Sequence, residues 1–299
     1  MEYGCSEAER AIVTTVMPAA KAPAVFSAPP SATTRSRWSG DVEVRERLAP
    51  VDTILVLLSA AAFVAFPFLR SSAMWFAALL AAIAVAGWRR CSGPVVCVGG
   101  FGGFLTVASA VPTLMMAWPL PAAIAAVGLA VLTRATPIAA SAFSFLRRGR
   151  LDPGVQGMVV GSALVAGTAL LAWFELVRPD YAGVRAALFP HVSWPLLMAG
   201  VVLFAMVNGA LEEIAYRGVL LDALDAAVGP GVLAIVLQAA AFGALHIGGF
   251  PRGVAGVALA TTYGVMMGLV RRRSQGLLAP WLAHVLTDTV IGSILVATL

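Results

Sequence analysis

The chain has 299 residues, of which 60% are hydrophobic and only 12% are charged, and its mean hydropathy is +0.90. Soluble domains carry about 25% charged residues, so this composition excludes an ordinary soluble protein and indicates a multi-pass membrane protein. The net charge of +5 does not indicate nucleic-acid binding, because the arginines are scattered between apolar segments and no dense basic patch is interleaved with aromatic residues.

The first segment of the chain, residues 1–48, is rich in Pro, Ser, Thr and Ala. We expect a disordered or loosely ordered tail there, on the cytoplasmic side. No apolar stretch follows Met1 and acidic residues occur early, so neither a secretory signal peptide nor an organellar transit peptide is expected. We divide the remainder into N-terminal transmembrane helices, residues 49–157, and a C-terminal transmembrane region, residues 158–299.

A helix that crosses the bilayer needs roughly 20 predominantly apolar residues. About nine segments reach or approach this length, and two of them, 73–88 and 119–133, are short. We therefore predict an all-α transmembrane bundle of about eight or nine membrane helices. The candidate segments are 51–69, 73–88, 95–117, 119–133, 158–177, 194–219, 231–247, 253–270 and 277–298.

Three arginine clusters fall between these segments, at residues 89–90, 147–150 and 271–273. Cytoplasmic loops of membrane proteins carry an excess of Lys and Arg. With nine helices and an N-terminus inside the cell, all three clusters face the cytoplasm, so they predict one common orientation.

Three polar motifs lie in three different predicted helices of the C-terminal region. Ionisable side chains at membrane depth are energetically expensive, so a functional site is the default interpretation. The motifs are Glu-Glu-x-x-x-Arg at residues 212–217, Phe-x-x-x-His at residues 242–246 and His-x-x-x-Asp at residues 284–288.

Helical spacing assigns different surroundings to the two adjacent glutamates. Glu213 and Arg217 are four residues apart and share a face, so we predict an ion pair that anchors the end of the helix. Glu212 points about 100° away from Glu213, and Asn208 lies on the face of Glu212. Glu212 is therefore predicted to be free to meet other helices.

Residues His284 and Asp288 also share one helical face, so Asp288 can orient His284 or both can point into one cavity. One free glutamate, two histidines and a carboxylate in a dry surrounding suit hydrolysis, since a carboxylate can take a proton from water and a histidine can hold that water or stabilise an oxyanion. Glu212, His246 and His284 also form a possible ligand set for zinc or another divalent metal, although the one-helix His-Glu-x-x-His motif is absent. Both chemistries stay open.

The sequences EEIAYR, FGALH and HVLTD resemble the three motifs of the CPBP family of intramembrane proteases. This family includes the type II CAAX prenyl endopeptidases and the bacteriocin-processing and immunity (Abi) proteins. The resemblance covers roughly residues 190–299, with all three motifs in the family's order. It implies an intramembrane endopeptidase with its active site between helices of the C-terminal region.

The resemblance also implies roles for individual residues. Glu212 would activate the attacking water, and His246 would help to hold it. His284 and Asp288 would stabilise the oxyanion and position the substrate. Well-studied relatives have Asn where this sequence has Asp288, and an ionised Asp cannot donate a hydrogen bond. Orienting His284 is therefore the alternative role of Asp288.

The remaining motif residues, Glu213, Arg217 and Phe242, would be structural, with Asn208 as further support. The implied partners are the lipid bilayer and a membrane-associated protein or peptide substrate, with no nucleic acid. The implied location is a bacterial cytoplasmic membrane, crossed several times. Two alternatives stay open, a non-catalytic immunity or scaffold protein and a proton-coupled transporter, although no internal repeat supports the transporter.

Overall fold

Long apolar segments must fold as helices in a bilayer, because a helix satisfies all of its backbone N–H and C=O groups internally. The structure is a computed structural model and describes residues 47–135, 145–179 and 192–297. Within these ranges it contains helices and turns but no strand, which confirms the predicted all-α bundle. Most of the predicted tail, residues 1–46, lies outside the described residues.

The leading part of the bundle contains four apolar helices and one short helix. Each apolar helix corresponds to one predicted segment. The helices are α1 (Pro50–Ala65), α2 (Ala73–Arg89), α3 (Gly93–Ala110), the short α4 (Pro112–Met116) and α5 (Leu120–Ala135).

The second part of the bundle follows the same correspondence, with one predicted segment for each apolar helix. One of these helices changes its hydrogen-bonding pattern along its length. The elements are α6 (Pro153–Val177), α7 (Trp194–Glu212), a π-helical segment (Glu213–Leu220), α8 (Leu221–Val228), α9 (Val232–Leu245), α10 (Gly253–Ser274) and α11 (Leu278–Ala297).

Six of the described helices are long and apolar enough to cross a membrane, and α1, α5 and α9 are shorter apolar helices. The prediction that the second segment is short is wrong, because a 3₁₀ turn at Arg70–Ser72 extends α2 to a continuous Arg70–Arg89. Helix α1 instead ends at Ala65, four residues earlier than expected. Pro67 contributes to this end, because a proline has no backbone N–H with which to continue the helical hydrogen bonds.

The first polar motif lies inside a helix rather than at its end, which corrects the predicted boundary at residue 219. Helix α7 continues through the π-helical segment and α8 without a break, giving 35 residues from Trp194 to Val228. The residues after the motif remain helix-forming, and Gly229, with a φ of 86°, ends the helix. At 1.5 Å per residue this helix is about 52 Å long, well beyond the hydrocarbon thickness of roughly 30 Å.

The start of α1 and the end of the long helix lie at the same end of the bundle. The backbone N–H of Leu48 donates to the carbonyl of Ala226. The guanidinium of Arg90, just after α2, pairs with Asp52 in the first turn of α1 at 2.5 Å. The first arginine cluster therefore lies at this end.

The other two arginine clusters lie at that end as well. Arg272 pairs with Asp225 of α8 at 2.5 Å. Backbone hydrogen bonds join residues 147–150 to residues 274–278. The three clusters thus share one end of the bundle, as their spacing predicts, and its cytoplasmic orientation stays a prediction.

Candidate active site

The two charges predicted to pair within the first motif do so in a fully buried position. Arg217 Nη1 donates to Glu213 Oε1 at 3.0 Å, and their side chains are 0% and 1% exposed. The guanidinium carbon of Arg217 also lies 4.5 Å from the ring centroid of Phe242, a cation–π distance. The pair therefore joins the first motif to the helix that carries the second.

Glu213 has a second partner that the sequence analysis missed. His284 Nδ1 lies 2.8 Å from Glu213 Oε1, the same oxygen that accepts from Arg217. A carboxylate oxygen next to a guanidinium accepts hydrogen bonds, so Nδ1 of His284 carries its proton. Glu213 thus fixes which ring nitrogen of His284 remains available. The need of a buried histidine for a partner on one nitrogen was the available signal.

The remaining nitrogen of His284 lies near two carboxylates. Its Nε2 is 3.4 Å from Glu212 Oε2 and 3.6 Å from Asp288 Oδ1. The ring of His284 and Glu212 are both almost fully buried. Both distances exceed an ordinary N–H···O bond, so these atoms are close without being locked together. The first and third motifs therefore meet at this nitrogen.

Asp288 is held by an amide from helix α7. Asn208 Nδ2 donates to Asp288 Oδ2 at 2.9 Å. The amide oxygen of Asn208 accepts a hydrogen bond from Trp118 Nε1 at 2.8 Å. Helical spacing predicts Asn208 on the face of Glu212, but its hydrogen bonds go to Asp288 and to Trp118, which was not among the predicted site residues.

The second motif joins the site through an aromatic ring. His246 is half-buried just after α9, and its Nδ1 lies 3.1 Å from the carbonyl oxygen of Phe242. A carbonyl can only accept, so Nδ1 donates and Nε2 keeps a lone pair. The Phe242 ring lies 4.9 Å from the His246 ring and 6.0 Å from the His284 ring. Phe242 is therefore the contact between the two histidines.

Two tyrosines complete the aromatic surroundings, and neither was predicted. Tyr216, within the π-helical segment, packs edge-on against Phe242 at 5.2 Å, and Tyr263 of α10 packs against His284 at 5.6 Å. Both tyrosines are buried. Aromatic rings on these sides exclude water and strengthen the electrostatic interactions within the site.

Small and aromatic residues bring α7 and α11 close enough for these contacts. A Cβ added at Gly209 would lie 3.4 Å from the Cβ of His284, and the indole of Trp281 donates to the carbonyl of Met206 at 3.0 Å. A glycine opposite His284 thus lets the helix carrying Glu212 approach the helix carrying the histidine.

The depth of the site follows from helix lengths. Glu212 is 18 residues beyond Trp194, or about 27 Å along the helix, and His284 is six residues beyond Leu278, or about 9 Å from the arginine-rich end. Glu212 therefore lies near the middle of the 35-residue helix, and the position of His284 places their meeting point on the side of the arginine-rich end.

The proposed metal ligands do not form a metal site in this arrangement. Among the residues that the structure describes, no group of three His, Cys, Asp or Glu side chains is arranged to hold an ion. The ring of Phe242 contacts the rings of both His246 and His284.

The fold and the site together define a multi-pass helical membrane protein with a buried glutamate–histidine–aspartate cluster. Residues 193–290, about a third of the chain, match the family model described as Type II CAAX prenyl endopeptidase Rce1-like. The matched residues, which we call the Rce1-like domain, contain all three motifs, and this similarity is consistent with the CPBP intramembrane proteases. The family is one of hydrolases that act on peptide bonds in membranes.

Neither a curated protein nor a solved structure matches the chain. The family match supports an intramembrane endopeptidase at the level of the family. The catalytic residues of this chain and its substrate therefore have to be argued from the geometry of the site.

Proposed function

We propose that this protein is an intramembrane endopeptidase that hydrolyses a peptide bond of a membrane-associated protein, with Glu212 as the general base. The observation that carries this proposal is the distance of 3.4 Å between Glu212 Oε2 and His284 Nε2 in a buried site. The Nδ1 atom of His284 is hydrogen-bonded to Glu213, so Nε2 is the atom of His284 that can act on a substrate. The Rce1-like match over the same residues supports this assignment.

In the proposed reaction, Glu212 takes one proton from a water molecule while the water oxygen attacks the carbonyl carbon of the substrate. The new C–O bond gives a tetrahedral intermediate with a negative oxygen. The C–N bond then breaks, and the proton passes from Glu212 to the leaving amine nitrogen. General base catalysis of this kind contributes about 10²- to 10⁴-fold to a rate.

The two histidines would act on different reactants, His246 on the attacking water and His284 on the substrate carbonyl. His246 Nε2 keeps a lone pair, because Nδ1 donates to the Phe242 carbonyl, so it can accept a hydrogen bond from the attacking water. His284 Nε2, when it carries a proton, can donate to the developing oxyanion. Asp288 accepts from Asn208 and lies 3.6 Å from His284 Nε2, which suits a carboxylate that orients this ring.

The position of the site suggests where the substrate is cut. The Glu212–His284 pair is nearer the arginine-rich end of the bundle, and Lys/Arg-rich ends face the cytoplasm in multi-pass proteins. We therefore place the cleavage on the cytoplasmic side of the membrane, in a bacterial membrane protein or lipid-anchored peptide. This assignment also places the N-terminus inside the cell.

The test compares peptide termini in the membrane proteomes of four strains. They carry the wild-type protein, Glu212→Gln, Glu175→Gln or no protein, with equal amounts verified by immunoblotting. Glu175→Gln is the matched control, because Glu175 is an exposed glutamate on α6 away from the site. We expect one set of termini to be absent from both the null and the Glu212→Gln strain and present with Glu175→Gln.

Two results would contradict the proposal. If Glu212→Gln produces every terminus that the wild type produces, Glu212 is not the base. If no terminus depends on the protein, but Glu212→Gln restores a phenotype of the null strain, a non-catalytic immunity or scaffold role replaces hydrolysis. Loss of proton-coupled uptake in Glu212→Gln cells, with unchanged termini, would favour a transporter.

A further inference from the structure

The amide of Asn208 has a fixed orientation, and a residue outside the Rce1-like domain fixes it. An amide group can present either its oxygen or its nitrogen to a neighbour. An indole N–H can only donate, so Trp118 Nε1 selects the amide oxygen of Asn208, at 2.8 Å. The amide nitrogen must then face Asp288, whose Oδ2 accepts it at 2.9 Å.

We propose that Trp118 is a positioning residue for catalysis, acting through Asn208 on Asp288 and thereby on His284. This inference rests on the proposed endopeptidase function. The chain of contacts ends at Asp288 Oδ1, 3.6 Å from His284 Nε2, the nitrogen assigned to the substrate. Every group between the indole and the imidazole is a side chain. A rotation of the Asn208 amide therefore moves the Asp288 carboxylate and changes its contact with His284.

The loss of the indole donor shows why Trp118 matters. Without a donor at position 118, the amide oxygen of Asn208 loses the hydrogen bond from the indole, and a buried acceptor without a partner costs free energy. The amide would shift to recover a partner, which weakens its hydrogen bond to Asp288. Asp288 would then be held less firmly, and its contact with His284 would change.

Trp118 belongs to the leading helices, between α4 and α5, and not to residues 193–290. It also lines a small, mostly apolar cavity, together with Phe63 of α1, Phe66 just after this helix, and Tyr216. A phenyl ring at position 118 therefore meets apolar neighbours and open space. Trp118→Phe removes the N–H donor without forcing a new side chain into a packed wall.

The test measures kcat and KM of purified full-length protein in detergent micelles. The substrate is a synthetic peptide that spans the cleavage site found by the comparison of termini. The variants are Trp118→Phe, Asn208→Ala and the double variant, with Glu212→Gln as the inactive reference. Trp75→Phe is the matched control, because Trp75 is 80% exposed on α2.

One hydrogen bond contributes about 0.5–1.5 kcal/mol, so we expect Trp118→Phe to lower kcat by about two- to thirteenfold with KM unchanged. Asn208→Ala should lower kcat at least as much. In the Asn208→Ala background, Trp118→Phe should have no further effect, since the residue it acts through is gone. Trp75→Phe should match the wild type.

A wild-type kcat in Trp118→Phe would overturn the inference. So would an equal loss in both backgrounds, because a merely structural tryptophan would act independently of Asn208. If the wild type cleaves no faster than Glu212→Gln, the endopeptidase proposal itself fails and this inference fails with it. If the wild type cleaves the peptide normally and either of the first two results is obtained, only the positioning role of Trp118 is overturned.

Discussion

The helices before residue 136 and those after residue 193 bury polar side chains in different ways. In the leading helices, Ser59 and Thr106 donate to carbonyls one turn earlier in their own helix. In the second group, Glu213, Arg217 and His284 are buried together and bond to one another across two helices. The first pattern satisfies a side chain locally, whereas the second requires that separate helices meet correctly.

This difference indicates that the second group of helices carries the larger desolvation cost of burying charged side chains. Removing two charges from water costs several kcal/mol per ion, and replacing a buried pair with apolar residues is often neutral or stabilising. A buried glutamate–arginine–histidine cluster is therefore weak evidence that these residues stabilise the fold and better evidence that they have a function. Apart from Asp52, which pairs with Arg90, the leading helices bury mainly apolar side chains, glycines and hydroxyl groups, which stabilise the bundle at little electrostatic cost.

The strongest test of this comparison breaks the buried pair. Arg217→Met leaves the Glu213 carboxylate buried without its cation, so we expect the free energy of unfolding to fall by about 3–5 kcal/mol. Circular dichroism during chemical unfolding in detergent micelles measures this change. Cleavage should be lost even in the folded fraction, because Glu213 no longer holds His284 in the same orientation.

The matched control for Arg217→Met is Arg273→Met. Arg273 pairs with Asp152 at 3.4 Å, and both side chains are more than a third exposed. Exposed pairs contribute about 0–1 kcal/mol, so this variant should unfold almost like the wild type. Equal losses for the two arginines would mean that burial does not distinguish the pairs.

The second test addresses the leading helices, where α3 contacts α2 through glycines. A Cβ at Gly99 would lie 2.8 Å from the backbone nitrogen of Ala84, closer than real Cβ contacts allow. Gly99→Ala should therefore destabilise the fold by about 1–3 kcal/mol through overpacking. The activity of the molecules that remain folded should equal that of the wild type.

Gly103, on the same helix, provides the control. A Cβ there would have its nearest neighbour at 3.7 Å, an ordinary contact. Gly103→Ala should stabilise the helix by up to about 1 kcal/mol, because alanine loses less backbone entropy than glycine. If Gly99→Ala is as stable as Gly103→Ala, close backbone packing does not explain these glycines.

The smallest expected effect concerns α6, between the two groups of helices. Asp152 caps this helix by accepting from the backbone N–H of Val155 at 3.1 Å. Asp152→Ala removes the cap and should lower the free energy of unfolding by about 0.5–2 kcal/mol. Asp152→Asn keeps an acceptor and should retain most of this stability. A scan of thermal unfolding resolves the two, and identical melting temperatures would exclude the cap as a contributor.

The sequence alone predicted the helices and the local pair, for identifiable reasons. Runs of about 20 apolar residues have one regular structure available in a bilayer, so each predicted segment became a helix. Glu213 and Arg217 lie one turn apart on one helix, so their spacing sufficed to predict the ion pair.

The contacts between helices were harder to predict. A helix that is apolar all round gives no indication of which face meets a neighbour. The contact from Glu213 to His284 and the hydrogen bonds of Asn208 depend on helix rotation, so spacing along the chain could not reveal them. One signal was available for Trp118, since an indole N–H within an apolar bundle usually finds an acceptor and Asn208 is an amide in an apolar segment.

The π-helical segment Glu213–Leu220 affects how this helix can be aligned with others. A π turn closes its hydrogen bonds over one more residue than an α turn, so the segment holds extra chain in the same helix. Removing one residue from it would restore ordinary α-helical winding and rotate Leu221–Val228 against α1. An alignment with an uninterrupted helix should accordingly place a gap inside this segment, directly after the glutamate pair. An insertion or deletion engineered into the long helix would therefore be tolerated differently before and after the π-helical segment.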